Sequence, residues 1–351
     1  MHRRLRLALL GGTLATLIAA TPALACGGLI GPNGAVNLLR TTTFVGYHDG
    51  VEHYVTAFKF QGGGGAFGSL TPLPGIPTSV EKGGDWTLQR LIRETNPVAR
   101  DLALFGAAAG AAPSAEVLMT VKIDALDITV LKGGADEVGT WAREHGFRLP
   151  PDAPEVLDFY ARRSPIFLAA AFDADAANAR GQAIGDGTSV HVTIPTSNPW
   201  VPIRILSLGK LGTDAVEADV YLMTDRAPAM LPATDGSAGL EQTYSDAASD
   251  SLLADLRSDQ GMEWVPPRAW LTKIAVDASA SQLAFDLAID ASGQGAPSRV
   301  AAGLEWPSAT TQASSAGLLL FVGLLTLSTL FALFALVATS RPGSSRPTAA
   351  A

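Results

Sequence analysis

The densest grouping of metal-ligand side chains in the chain is His48-Asp49-Gly50-Val51-Glu52-His53. It falls one residue away from H-x-x-E-H, a zinc motif that needs both histidines on one face of a helix. Asp-Gly breaks a helix and so works against that geometry. The flanking runs, Thr41 to His48 and Val51 to Phe60, alternate in polarity, and Asp-Gly between such runs predicts a two-residue type I′ hairpin turn. In that hairpin residue 48 pairs with 51 and 46 with 53. Both imidazoles then project from one face as diagonal neighbours about 7–8 Å apart at most, within reach of a bridging zinc ion. The more ordinary outcome is a pair of solvated histidines at a hairpin tip.

The other chemistry-bearing patterns fail in context. Gly63-Gly64-Gly65-Ala66-Phe67-Gly68 fits G-x-G-x-x-G, but prolines 72, 74 and 77 follow where a dinucleotide site needs a helix N-terminus. Asp173-Ala174-Asp175 with Asn178 begins like a calcium loop and lacks its central glycine and terminal glutamate. No G-x-S-x-G is present, and His145 ends an apolar helical stripe where packing accounts for it. Cys26 is the only cysteine, so no internal disulfide can form; exposed at a new N-terminus, it is a candidate for lipidation, pairing or nucleophilic use. Catalytic residues are therefore unassigned, and no cofactor is expected beyond zinc at His48 and His53. Trp200 and Trp264 sit in proline-bounded segments, where aromatics form either a binding surface or packing against a sheet.

The elements that must carry these residues follow from periodicity. Helical spacing begins around Trp86 with Asp85 as cap, restarts at Asn96-Pro97, and recurs at Val138 to His145, stopped by Gly146, and from Asp152 or Pro154 through Ala161. Strand patterns cover 116–131, 166–172, 189–194, 201–206, 216–223, 270–276 and 283–289, broken by helical spacing over 246–257. The stretch 62–77, glycine-rich and then proline-rich, predicts a loop. The fold class is thus α+β, mainly antiparallel sheet with a helical segment around 85–162. The halves on either side of residue 180 fold together or as separate domains.

Both ends of the chain are apolar. Residues 1–25 combine basic His2, Arg3, Arg4 and Arg6, an apolar core, and a small-x-small site at Ala23-Leu24-Ala25, which predicts a signal peptide and a mature chain beginning at Cys26. Residues 317–339 run without a charge for the length a transmembrane helix requires, and Arg341 and Arg346 follow at once. A polar stalk, 307–316, precedes the span, and the tail 340–351 is placed in the cytoplasm. Between the ends, 20 basic residues face 33 acidic ones, a net of −13, which argues against nucleic acid as a partner.

Several phrases resemble a bacterial family, the domain of unknown function 2330. They are ACGG at 25–28, DITVLKGGADEVGTWAREHGFRLPPDAPEVLDFYARR at 127–163, VPIRILSLG at 201–209, DVYLMTDR at 219–226 and WLTKI at 270–274. In its central phrase Trp141, His145, Gly146, Phe147, Leu149, Pro150, Asp158, Phe159 and Tyr160 occupy the motif positions. The resemblance implies a signal peptide, an extracytoplasmic domain and often a C-terminal membrane helix, but no activity. The expectation is a single-pass cell-membrane protein whose extracytoplasmic part is a binding or interaction module with an envelope protein as partner. The alternative is an extracytoplasmic hydrolase, metal-dependent through His48 and His53.

Overall fold

A computed structural model describes residues 23–24, 28–32, 34–35, 40–59, 67–96, 117–179 and 187–307. Cys26, Gly63 to Gly65, Pro97 with the helix expected there, and residues 308–351 with the expected membrane span lie outside the described residues. Among the described residues no helix is long and apolar enough to cross a membrane. The described residues up to Glu305 form one compact unit.

In chain order the strands are β1 (Ala23–Leu24), β2 (Gly28–Gly31), β3 (Gly34–Ala35), β4 (Arg40–His48), β5 (Val51–Lys59), β6 (Phe67–Pro72) and β7 (Ser79–Lys82). Helix α1 (Thr87–Thr95) leads to β8 (Val117–Ile123), β9 (Leu126–Lys132), α2 (Ala135–Glu144), α3 (Ala153–Ala161), β10 (Ile166–Phe172), α4 (Ala174–Ala179), β11 (Gly187–Pro195) and β12 (Trp200–Val201). The remainder is β13 (Ala215–Thr224), β14 (Ala229–Leu231), β15 (Leu240–Ala247), α5 (Asp250–Ser258), β16 (Trp270–Ser279) and β17 (Leu287–Asp290). One sheet runs β15-β16-β13-β4-β5-β11-β7, with β1 beside β4; a second runs β3-β2-β6-β10-β9-β8; a small third runs β12-β17-β14. The fold is α+β and mainly antiparallel. Strands from before and after residue 180 alternate within the first sheet, with β4 parallel to β13 and β5 antiparallel to β11.

Alternation places the layers. Val45, Tyr54, Val190, Val192, Val220, Leu222 and Ile274 point inward from the first sheet and meet Ile128, Val130, Ile166 and Leu168 from the second. On the outer face of the first sheet, Phe44, Val55, Tyr221 and Leu271 pack beneath Leu88 and Leu91 of α1 and Leu252, Leu253 and Leu256 of α5. On the outer face of the second, Leu70, Leu131 and Phe167 pack beneath Trp141 of α2 and Val156, Leu157 and Tyr160 of α3. Helices therefore cover both outer faces of a two-sheet core.

Several expectations need correction. Leu70 to Pro72 belong to β6, buried throughout between β2 and β10, with Pro72 at the strand's last residue, where a missing amide costs least. Residues 201–206 are not one strand, because after Val201 the chain turns into a 3₁₀ helix, Arg204–Ser207. Residues 283–289 become strand only at Leu287. One buried carboxylate accounts for both changes. Asp286 accepts the amides of Ile203 (2.8 Å) and Arg204 (3.0 Å), the Tyr160 hydroxyl (2.9 Å) and the Arg163 guanidinium (2.5 Å), while the Ile205 amide donates to the Tyr160 oxygen (2.8 Å). The aspartate thus holds the start of the 3₁₀ turn in place of a strand partner.

Helix α1 is not capped by Asp85. The Asp259 carboxylate, distant in sequence, accepts the amides of Asp85 and Trp86 (3.1 Å each) and the Thr87 hydroxyl (2.8 Å). Asp259→Ala leaves these donors unpaired at a buried helix start, and a loss of about 1–2 kcal/mol is expected from urea unfolding. An unchanged midpoint would show that water replaces the carboxylate.

Candidate functional site

The hairpin forms as its turn residues require, with Asp49 at φ 49° and Gly50 at φ 79°, His48 opposite Val51 and Gly46 opposite His53. His48 and His53 accordingly share the outer face of the first sheet. Their partners differ. His48 Nδ1 lies 2.7 Å from Asp225 Oδ1 at the tip, whereas His53 Nδ1 lies 2.9 Å from Nε2 of His191 on β11. The β5–β11 register pairs His53 with Thr193, so His191 is its diagonal neighbour.

Above these rings sits Trp264. The loop after α5 is pinned by buried Met262 and Val265 and by Arg257, whose guanidinium donates to the Pro266 carbonyl (2.9 Å). Trp264, between the two anchors, stacks on His53 with centroids 3.9 Å apart and planes within 3°. It lies over Gly46, where an added Cβ would stand 2.1 Å from the indole. Phe44 and His191 flank it, each with a ring centroid 5.8 Å from that of Trp264.

Burial sets the charge of the pair. Desolvation, with the charges of His191 and His48, lowers His53 from 6.5 to about 3; desolvation lowers His191 to about 4, against an upward pull from Glu263. Both rings are neutral at neutral pH. His191 Nδ1, Ser189 Oγ and Trp264 Nε1 are buried without a hydrogen-bond partner. An orphaned donor is rarer than an orphaned acceptor, which favours the tautomer in which His191 Nε2–H donates to His53 Nδ1. Neither imidazole bonds a hydroxyl or thiol among the described residues, and no three His, Cys, Asp or Glu side chains there are gathered at metal-holding distance.

A family profile described as "uncharacterized protein conserved in bacteria", the domain of unknown function 2330, matches residues 20–290, more than half of the chain. The chain belongs to this family. No curated protein matches it. Among solved structures, a mutated baculovirus P35 after caspase cleavage aligns at a TM-score of 0.41 and 9% identity, over 71% of this chain and 98% of that one. Baculovirus P35 aligns at 0.35 and 10%, over 73% and 91%, and the caspase-8/P35 complex at 0.33 and 10%, over 71% and 90%. Scores of this size do not establish a common fold.

In this member of the domain of unknown function 2330 family, His53 and Trp264, singled out separately in the sequence, are in contact, while His48 stands apart with Asp225. Trp200 is 3% exposed and stacks on Tyr160 in the core, so its ring offers no surface. His191 and Gly46 carried no local signal. Asp173 starts the short helix α4 by accepting the amides of Asp175 and Ala176 (3.0 Å each), in place of a calcium loop. Gly46→Ala should unseat the indole, costing about 1–3 kcal/mol and changing tryptophan fluorescence. An unaltered emission spectrum would mean that Trp264 does not sit over residue 46 in solution.

Proposed function

We propose that this protein is a membrane-anchored extracytoplasmic binding module, held by residues 317–339 with its N-terminal domain outside and its tail in the cytoplasm. The uncharged span, the basic residues behind it and the signal-like first 25 residues support the anchoring. The observation that carries binding over catalysis is the pairing at the site. Two neutral imidazoles bond to each other beneath an indole, and among the described residues neither bonds a hydroxyl or thiol. A half-buried indole held by a pinned loop over rigid strands is the kind of aromatic anchor that recognition surfaces use. An envelope protein is the partner that an acidic domain tethered close to a membrane would meet.

The test uses the full chain in its membranes. It should resist alkaline extraction and lose that resistance when 317–339 is removed, and a photoreactive amino acid at position 264 should give a discrete adduct absent for the same probe at exposed Leu211. Release by alkali from the intact chain would refute the anchor. An ester- or peptide-hydrolysing activity abolished by His53→Gln would replace the binding reading with the hydrolase.

A further inference from the structure

We propose that His53 and His191 form a site for a divalent transition ion of the zinc type, bound through His53 Nδ1 and His191 Nε2, with carboxylates of Glu81 and Glu263 completing it. This goes beyond the binding reading and does not depend on how the chain is anchored. It also moves the metal away from the hairpin tip, since His48 is engaged by Asp225.

Distance comes first. Two zinc–nitrogen bonds of about 2.0–2.1 Å at a tetrahedral angle separate their nitrogens by about 3.3 Å. The observed 2.9 Å means that the rings need part by only a few tenths of an ångström as the ion replaces the proton between them. Neutral imidazoles are the ligating form, and imidazole with carboxylate suits zinc-class ions. Stacking under Trp264 fixes the plane of the His53 ring.

The carboxylates are close by. Glu81 on β7 is the direct cross-strand partner of His191, which places their Cβ atoms about 4.5–5.5 Å apart on one face. Glu263 precedes Trp264, and its charge acts on His191. Both side chains are exposed, and the proposal requires each to turn toward the pair.

The site also accounts for two orphaned atoms. An ion on His191 Nε2 moves the remaining proton to Nδ1, and a ligating histidine nearly always donates that proton to a neighbour. Ser189 Oγ is buried and unpartnered two residues away on the same face of β11, with Cβ atoms about 6.6 Å apart. That hydroxyl, turned toward the ring, would be its acceptor. Without the ion, both polar atoms stay unpaired.

The experiment is a titration of the purified full chain in detergent, stripped with chelator, by zinc in a calorimeter and by cobalt(II) in a spectrophotometer. One equivalent of zinc should bind, and cobalt should give the visible absorption of a four-coordinate ion. His191→Asn should weaken binding at least tenfold while His48→Asn leaves it unchanged, both checked for folding by circular dichroism. Should His191→Asn not fold, the surface pair Glu81→Gln/Glu263→Gln decides, with at least tenfold weaker binding expected. Absence of saturable binding by the folded wild type overturns the proposal, as does full binding by whichever deciding variant folds, or loss of binding in His48→Asn alone.

Discussion

Asp286→Ala is expected to cost about 3–5 kcal/mol, because it strips the partner from a buried guanidinium. Asp286 is fully buried and the Arg163 side chain is 3% exposed. Burial pushes the aspartate up from its ordinary value while Arg163 pulls it down. The arginine is held in place by the Phe159, Tyr160 and Trp200 rings around it and by the Ala301 carbonyl it donates to, so it cannot swing to water. Removing the carboxylate also frees the amides of Ile203 and Arg204 and the Tyr160 hydroxyl. Asp286→Asn keeps an acceptor oxygen for the amides and should lose less. Urea unfolding of the three proteins reads this directly. A loss under about 1 kcal/mol for the alanine variant would show that water enters and takes over the node.

The second large effect is one of pH, and it comes from Glu52. This residue neighbours His53 in the chain but faces the opposite side of β5, into the core. Its Oε2 accepts the Trp200 amide (3.2 Å) and its Oε1 has no partner, so desolvation, slightly relieved by that amide, raises it from 4.5 to about 8. Between those values the folded chain keeps a proton that the unfolded chain has shed. Stability from this group is therefore full below pH 4.5 and is lost as pH rises through 8, by an amount on the order of several kcal/mol. The histidine pair slopes the other way: the unfolded chain takes up protons below 6.5 that the folded chain refuses until about pH 3–4, so acid destabilises. Between pH 5 and pH 8.5 relief of the histidine pair should raise the unfolding free energy of Glu52→Gln by several kcal/mol, whereas in the wild type the loss at Glu52 offsets that rise and leaves the two values close. Equal changes in both proteins would remove Glu52 as the cause. Comparing the two pH values cancels any fixed cost of the glutamine.

What the sequence disclosed depended on distance along the chain. The Asp49-Gly50 turn, the stop at Gly146 and the strand runs of β9, β10 and β13 rest on neighbouring residues, and all formed. The candidate site did not rest on neighbours. His191 meets His53 across 138 residues, and only the β5–β11 register brings them together. Asp286 sits in an apolar run that imitates a strand, and the reason for its burial lies at Tyr160 and Arg163 on α3 and just after it. Trp264 stood out because prolines follow it, but what it covers depends on Gly46, a residue that reads as an ordinary weak point in a strand. Local rules gave the elements, and the contacts between them were invisible until the sheets were assembled.

The parallel pairing of β4 with β13 also governs the order in which the molecule can form. Thr41 to Tyr47 bond to Ala218 to Thr224 in the middle of the first sheet, across some 177 residues of intervening chain. Such non-local pairing slows folding, since a long loop must close before the contact offsets its entropy. The early hairpin β4–β5 therefore waits, with one edge unpaired, until the chain through residue 224 is available on the same side of any barrier. For a chain exported as proposed, the domain crosses as an unfolded thread and closes only near the end of passage, shortly before the span arrives to stop it.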